Sequence, residues 1–514
     1  MLSDRRLAIL LSFGVGLLSL SQEIVWFRVV GFAQSGHPQF FGLVLGAFLM
    51  GAAGGAAWGR ALCQDPNALR AFAHRQLWIA TAVDVLALTL MVLLLQPSAT
   101  ALPGLLLLIA LCAACKASLF PLVHQLGSQA SEGSSQLGQS LSTIYFANVI
   151  GSASGPLLTG YLLLEWVDAE AVFAGIALVT ALLGWACCRP RWPAWMALVG
   201  ALAACAHPPA VLLKVASDAG EPGAEKRIIQ NRHGVIHTVR HPEGDVTFGG
   251  NAYDGLIQLD MRLNGNGLDR AYLMLLLHPN PKQVLMIGLS SGAWLSTILG
   301  MPGIERVDVV EVNPAYLNLV QSHPVVAPAL RDPRVRIHID DGRRWLRRHP
   351  AARFDLVFSN SSFYWRSHVG LLLSEEFHRL VQRHMRSGAV LAFNTTGSRD
   401  ALLTAETVFA NVARYKGFGY ASDAPLVRRP DSAEALRLAT LNGQPAFADP
   451  AWLPGSIGHT LLNAPLQSAS QLTRGVEPAP RVIQDHNPIN EFRHGAAPLH
   501  GAVDAWLPNR PTKF

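Results

Sequence analysis

Cysteine is missing from the whole polar second part of this chain, and charge is scarce in its first two hundred or so residues. All six cysteines, Cys63, Cys112, Cys115, Cys187, Cys188 and Cys205, lie in or beside the apolar region. The polar part therefore has neither a disulfide framework nor a thiolate metal site. Cys112 and Cys115 have redox-motif spacing but sit inside an apolar run, where small packing residues are expected. Only 15% of the 514 residues are charged, the net charge is +6, and no Lys/Arg-rich block recurs, which argues against nucleic acid as a partner. His233, His237 and His241 share a strand face, but no acid completes a ligand set, so no metal is expected.

What is present divides in two. Apolar stretches fall at roughly residues 7–30, 39–63, 76–96, 101–122, 139–165, 169–188 and 193–213, most of them long enough, at about 20 residues, to cross a bilayer. The first is too long for a cleavable signal peptide and more spans follow it. Arg5 and Arg6 precede the first stretch, Arg60, Arg70 and Arg75 follow the second, and Arg189 and Arg191 follow the sixth. The loops around Gly36–Pro38, Gln96–Thr100 and Asp168 lack Lys and Arg, so the positive-inside rule puts the N-terminus in the cytoplasm. Seven crossings from there would leave the polar part outside. The seventh stretch, interrupted by His207-Pro208-Pro209, could instead lie in the interface. Gly51, Gly55 and Gly59, and likewise Gly151 and Gly155, have the spacing of close helix contacts. Glu23 and Lys116 are ionisable groups at membrane depth; Lys116 is expected to meet a buried partner or line an acceptor path.

From about residue 228 short β-type runs separated by Gly, Pro and Asp predict a small antiparallel sheet. Strands over Val284–Ile287, Val307–Val312, Val335–Ile339, Leu356–Phe358 and Ala389–Phe393 then alternate with helices, which predicts a parallel sheet with ligands at the strands' carboxyl ends. Gly288 and Gly292 follow the first of these strands, Glu311 ends the second, and Asp341-Gly342 ends the third. Glycines admit close backbone approach, an acid about 20 residues on suits ribose hydroxyls, and a further acid can accept from an adenine amino group. The ordered set points to an adenosyl ligand. The predicted organisation is a membrane domain of six or seven transmembrane helices over 1–213, a linker and small β-sheet over 214–270, a Rossmann-like domain over 271–425, and a C-terminal extension or lid over 426–514.

Asn280-Pro281-Lys282 before the first of the five strands, Val310-Glu311-Val312-Asn313-Pro314, Asp332-Pro333-Arg334-Val335 and Asp341-Gly342 resemble the polyamine aminopropyltransferase family. Asp254-Gly255-Leu256-Ile257-Gln258 is similar to its Asp-Gly-Val-x-Gln signature, and Ser374-Glu375-Glu376-Phe377 to its Phe-Ser-x-x-Phe-Tyr segment. With an apolar first part, a Trp26-x-Arg28 pair and a late Asp485-x-Asn487-x-x-x-Glu491 segment, the chain resembles the membrane-bound spermidine-synthase-like branch. The resemblance implies a spermidine-synthase-type fold and decarboxylated S-adenosylmethionine as aminopropyl donor, with putrescine as the family's default acceptor. It implies donor contacts from Gly288, Ser291, Gly292, Glu311, Asp341, Gly342 and Gln258, with His233 near the place of a donor-binding glutamine.

The acceptor side departs from the family. The glycine-loop aspartate is Ser291, and the Asp-Ser-Ser-Asp-Pro after the fourth strand reads Asn360-Ser361-Ser362-Phe363-Tyr364, so the proton acceptor's position holds Phe363. A family histidine after a Tyr aligns with Leu273. Asn360, Tyr364, Trp365, Arg366, His368 and Asn394 cluster on two strand ends; Asn360, Arg366 and His368 are the candidates for catalysis, His368 as general base. Arg366 among aromatics suits an anionic or planar acceptor better than a dication. Three readings stay open: aminopropyl transfer; S-adenosylmethionine-dependent methyl or alkyl transfer to a membrane-delivered acceptor; and a non-catalytic nucleotide sensor on a transporter-like bundle. A multi-pass inner-membrane location, a small-molecule amine or other acceptor and a homodimer are expected. Donor supply favours a cytoplasmic polar part.

Overall fold

The apolar stretches fold as helices because a helix satisfies every interior backbone N–H and C=O within one segment. The structure, a computed structural model, describes residues 3–95, 102–129, 134–187, 192–361, 363–447 and 452–493, so Cys188, Arg189 and Arg191 lie outside the described residues. The N-terminal bundle comprises α1 (Asp4–Ala33), α2 (Gln39–Leu62), α3 (Leu69–Leu94), α4 (Leu102–Ala117), α5 (Leu119–Ser128), α6 (Ser134–Leu157), α7 (Leu164–Trp166), α8 (Ala169–Cys187), α9 (Trp192–Ala206) and α10 (Val211–Val215). Five of its helical stretches are long and apolar enough to cross a membrane, by length and composition. The apolar stretch at 101–122 is two helices meeting at Ser118, whose hydroxyl donates to the Cys115 carbonyl at 2.8 Å. The one at 139–165 begins earlier, and behind Pro156 its helix widens to a π-helical run, Leu158–Leu163. Proline's missing N–H accounts for that change of pitch.

Small residues set how closely these helices approach. A Cβ on Gly55 would stand 2.2 Å from the Ala114 carbonyl oxygen, and one on Gly151 2.1 Å from that of Phe13. Lys116 does find a buried partner. Its Nζ donates to Asp84 Oδ2 at 2.5 Å and to Gln22 Oε1 at 2.9 Å, while Gln22 Nε2 donates to Asp84 Oδ1 at 2.7 Å. This closed triangle joins α1, α3 and α4.

The polar part opens with a four-stranded antiparallel sheet, β1 (Lys226–Asn231), β2 (Gly234–Val239), β3 (Val246–Gly249) and β4 (Ala252–Leu256). The main domain follows as α11 (Asp269–Leu277), β5 (Gln283–Ile287), α12 (Ala293–Leu299), β6 (Arg306–Glu311), α13 (Ala315–Gln321), α14 (Ala327–Leu330), β7 (Val335–Ile339), α15 (Gly342–Arg348), β8 (Phe354–Ser359), α16 (Glu375–Gln382), β9 (Met385–Asn394), α17 (Arg399–Glu406), β10 (Asn411–Tyr415) and β11 (Phe418–Ser422). Strands β5 to β9 pair in parallel, as the alternation of apolar strands and helices predicts, and β10 and β11, which it did not, add antiparallel.

The expectation of a loose extension or lid after residue 426 needs correction. Helix α18 (Ser432–Leu438), the hairpin β12 (Thr440–Leu441) and β13 (Gln444–Pro445), α19 (Ile457–Asn463), β14 (Gln467–Ser468), α20 (Ala469–Thr473) and α21 (Ile489–Arg493) follow, and β14 joins the sheet edge beside β10. Leu436, Ala439, Phe447 and Leu461 are buried in the same core as β5 and α12. Spaced apolar residues without a clear period suffice to seal one face of a sheet.

Candidate active site

The carboxyl ends of β5, β6 and β8 converge on one edge. After β5, Gly288, Ser290 and Gly292 all have positive φ, at 89°, 50° and 76°, which turns the chain sharply into α12. A Cβ on Gly292 would meet Val320 Cγ1 at 2.7 Å, so glycine is needed both for conformation and for space. Glu311, at the end of β6, is 3% exposed. Its Oε2 accepts from the Leu289 N–H of this loop at 2.7 Å and its Oε1 from the Asn313 N–H at 2.8 Å. Burial nonetheless pushes its pKa up to about 7 against the pull of those donors, with the nearby Asp254 charge adding to the rise. Asp341 is exposed at the rim of an open cleft of about 570 Å³ and caps α15, accepting from the Arg344 N–H at 2.8 Å. A Cβ on Gly342 would stand 2.8 Å from Ile287 Cγ2, which seats this turn against the end of β5.

The remaining donor-side candidates scatter. Ser291 is buried and its hydroxyl accepts from Asn266 Nδ2 at 3.4 Å. Gln258 is buried, with its Oε1 accepting from the Gly265 N–H at 3.3 Å. His233 sits exposed in the β1–β2 turn and accepts from Arg232 Nε at 3.2 Å. The hairpin reaches the sheet edge through Asn231 instead, whose Nδ2 donates to Asn313 Oδ1 at 2.7 Å. The same turn is held by the bundle: Arg28 on α1 donates to the Asn231 carbonyl at 2.7 Å and to that of Arg232 at 3.0 Å. Arg28, Asn231, Asn313 and Glu311 thus form a continuous chain of contacts.

On the acceptor side Asn360 Oδ1 accepts from Asn394 Nδ2 at 3.1 Å. Phe363 adopts a φ of 54° and packs against Trp365. The Tyr316 hydroxyl donates to Asp254 Oδ2 at 2.5 Å, and Ser290 Oγ donates to the Asp254 carbonyl at 2.6 Å. Burial and the adjoining carboxylates hold the Tyr316 phenol well above its usual range, while Arg366 pulls it the other way. A Cβ on Gly250 would stand 3.0 Å from Arg366 Nη2, and one on Gly249 2.4 Å from Tyr316 Oη. Arg366, Tyr316 and Asp254 therefore share the β3–β4 turn. His368 is exposed, at a φ of 70°, beside Glu491.

Three features escaped the sequence reading. Asp254 was visible only as part of a signature, Tyr316 left no local signal, and the bundle's contribution could not be foreseen. The α1–α2 loop touches the acceptor loop directly: the His37 ring stacks on Trp365 at 4.1 Å, and the Gly36 carbonyl accepts from the Ser367 N–H at 2.9 Å. The late acidic segment fastens the same loop from its other side. Asp485 accepts from Ser374 Oγ at 2.7 Å and pairs with Arg343, and Glu491 Oε1 accepts from the Gly370 N–H at 2.8 Å.

Residues 271–418 match the family model described as the spermine/spermidine synthase domain. Spermidine synthase 2 of Datura stramonium is 32% identical over 149 residues, 27% of this chain and 44% of that one. A polyamine aminopropyltransferase of Thermoanaerobacter sp. (strain X514) is 31% identical over 125 residues, 24% of this chain and 44% of that one. The chain thus spans less than half the length of these curated relatives. Among solved structures, a spermidine synthase in complex with the transition state analogue AdoDATO aligns at 18% identity and a TM-score of 0.36, covering 45% of this chain and 82% of that one. The spermidine synthase from Thermotoga maritima aligns at 19% identity and a TM-score of 0.35, over 45% and 81%. The C-terminal region of this chain therefore carries a spermine/spermidine synthase domain, preceded by a bundle of apolar helices.

Proposed function

We propose that the chain is a membrane-anchored transferase of the aminopropyltransferase type, using an adenosyl-sulfonium donor at the ends of β5, β6 and β7. Decarboxylated S-adenosylmethionine is the donor of the spermidine synthase family, and the observation that carries the reading is Glu311. It is a buried acid, held by two backbone N–H groups at a glycine turn, with lone pairs left for ribose hydroxyls. The glycines of that turn leave the backbone open to a nucleoside, and the resemblance to the family would give Asp341 the adenine contact.

In such a transfer a neutral amine attacks the carbon beside the sulfonium. The C–N bond forms as the C–S bond breaks, the thioether nucleoside leaves, and the ammonium proton needs an acceptor. The family's acceptor-side acids are absent here at Ser291, Asn360 and Phe363. Asp254, whose carboxylate accepts from Tyr316 and whose carbonyl accepts from Ser290 of the glycine loop, is the further acid beside Glu311 there and the group we assign to proton removal or to holding a single ammonium. With one acid in place of several, a dication loses contacts of about 1.5–3 kcal/mol each, so putrescine should be a poor acceptor.

A second reading keeps the donor site and changes the chemistry: methyl or alkyl transfer from S-adenosylmethionine to an acceptor delivered along the bundle. Arg366 and the His37–Trp365 stack, which suit an anionic or planar group, favour it. Purified full-length protein incubated with each labelled donor and with putrescine separates the two. Aminopropylated putrescine supports the first, turnover with S-adenosylmethionine alone supports the second, and no binding of either donor removes both.

A further inference from the structure

We infer that the synthase domain stands on the side of the membrane opposite the N-terminus, on the non-cytoplasmic face. The inference rests on the reading of the bundle as membrane-spanning and replaces the expectation of a cytoplasmic domain drawn from donor supply.

Two ends of the bundle can be told apart by contacts. At one end Arg70, opening α3, donates to the Cys187 carbonyl at the close of α8 at 2.9 Å and pairs with Asp4 at the start of α1 at 3.2 Å. Gln125, near the end of α5, donates to the Cys63 carbonyl just after α2 at 3.2 Å. At the other end Arg28 and Ser35, closing α1, bond to Asn231 and Asn251 of the small sheet. Gln230 of β1 accepts from the Ala169 N–H that opens α8 at 3.1 Å, and Glu170 Oε1 accepts from the Leu212 N–H of α10 at 2.8 Å. The domain is therefore docked wholly on this second end.

The same contacts settle the seventh apolar stretch. Helix α9 starts just beyond Cys187 at the first end, and α10, a few residues after it, is bonded to Glu170 at the second end. With α9 joining the two ends, and with α6 counted beside the five helical stretches long and apolar enough to cross, the chain makes seven passes and its two halves lie on opposite faces.

Charge orients the bundle. Arg5, Arg6, Arg60, Arg70 and Arg75 belong to the first end, and in the sequence Arg189 and Arg191 fall between α8 and α9. The described connections at the domain's end, 34–38 and 167–168, carry no Lys or Arg, and neither does the sequence between α3 and α4. Arg28 is occupied by two carbonyls of the domain, and Lys214 follows the last pass. Arginine-rich short loops stay in the cytoplasm, and long polar domains translocate largely irrespective of their charge. The parity of passes puts the domain opposite the N-terminus, and the arginine asymmetry says which of the two faces is cytoplasmic.

The polar part has no native cysteine, which makes the test direct. Arg262→Cys, at an exposed position of the domain, and Gln64→Cys, in the α2–α3 loop, are expressed as full-length protein in a Gram-negative bacterial host. Right-side-out spheroplasts are treated with a membrane-impermeant maleimide, with the unmodified protein as blank. Labelling of Arg262→Cys before lysis, and of Gln64→Cys only after it, is expected. The reverse pattern overturns the orientation and leaves the anchored transferase standing, as does labelling of both or neither in sealed spheroplasts. Release of the protein by alkaline carbonate without detergent overturns the membrane reading itself, and the orientation with it. Alkaline phosphatase fused after Phe514 supplies a second readout, active only if the domain is exported.

Discussion

Each half of the molecule buries a carboxylate at a point where three elements meet, and the two are treated oppositely. In the bundle Asp84 is closed off by the ammonium of Lys116 and the amide of Gln22, leaving a neutral triangle. In the synthase domain Glu311 accepts from two backbone N–H groups and lies near the charge of Asp254, an arrangement that orients it without neutralising it. A buried acid paired with a cation is a staple. One held only by N–H groups keeps affinity for something still to arrive, and the cost of its desolvation is stored at the site.

Breaking the staple should have the largest effect. Lys116→Met leaves Asp84 buried without its cation and should cost about 3–5 kcal/mol, read as a drop in thermal midpoint of the detergent-solubilised protein. The Lys116→Met, Asp84→Leu pair should recover most of that loss; a double variant as unstable as the single one would show that the triangle is not the source. Next, Glu311→Gln should weaken donor binding about 100-fold by calorimetry, since two charge-assisted contacts to ribose are lost. Its pH dependence has a definite sign. Because the folded pKa is raised to about 7, the protonated acid favours the unliganded fold, a contribution complete below about 4.5 and lost as pH rises through 7. Donor binding needs the carboxylate, so affinity should increase from pH 5 to 8 with proton release that Glu311→Gln abolishes. A flat profile would remove Glu311 from the donor site.

Smaller effects should connect the halves. Arg28→Ala frees the β1–β2 turn whose Asn231 steadies Asn313, and donor affinity should fall roughly 10-fold, with Arg28→Lys intermediate. His37→Ala removes the stack on Trp365, worth about 0.5–1.5 kcal/mol, and should raise the acceptor KM a few-fold while leaving donor affinity alone. A loss of donor binding in His37→Ala would mean that the loop's influence is not confined to the acceptor side.

Legibility followed the range of the interactions. Strands β5 to β9, the glycine turn and the acids Glu311 and Asp341 were all readable, because apolar runs, turn residues and strand-end carboxylates signal within a few neighbours. The need for a partner to Lys116 was readable too, but not that Asp84, 32 residues away, supplies it. His233 was placed near the donor by its position in the chain, whereas the turn presents Asn231 to the sheet edge. The segment from 432 to 473 looked loose because its apolar residues follow no helical or strand period, yet β14 and the core residues beside it complete the sheet.

By itself the sequence determined that an apolar helical base precedes an α/β domain with glycines and acids at its strand ends, since periodicity, glycine conformation and charge placement are local properties of the chain. Only the tertiary structure decided that α1 and the loop after it reach both sides of that edge, through Arg28 toward Asn231, Asn313 and Glu311 and through His37 to Trp365 in the loop after β8. Those contacts join residues more than two hundred and more than three hundred positions apart, and no local preference encodes which distant surface a loop will meet once both halves have packed.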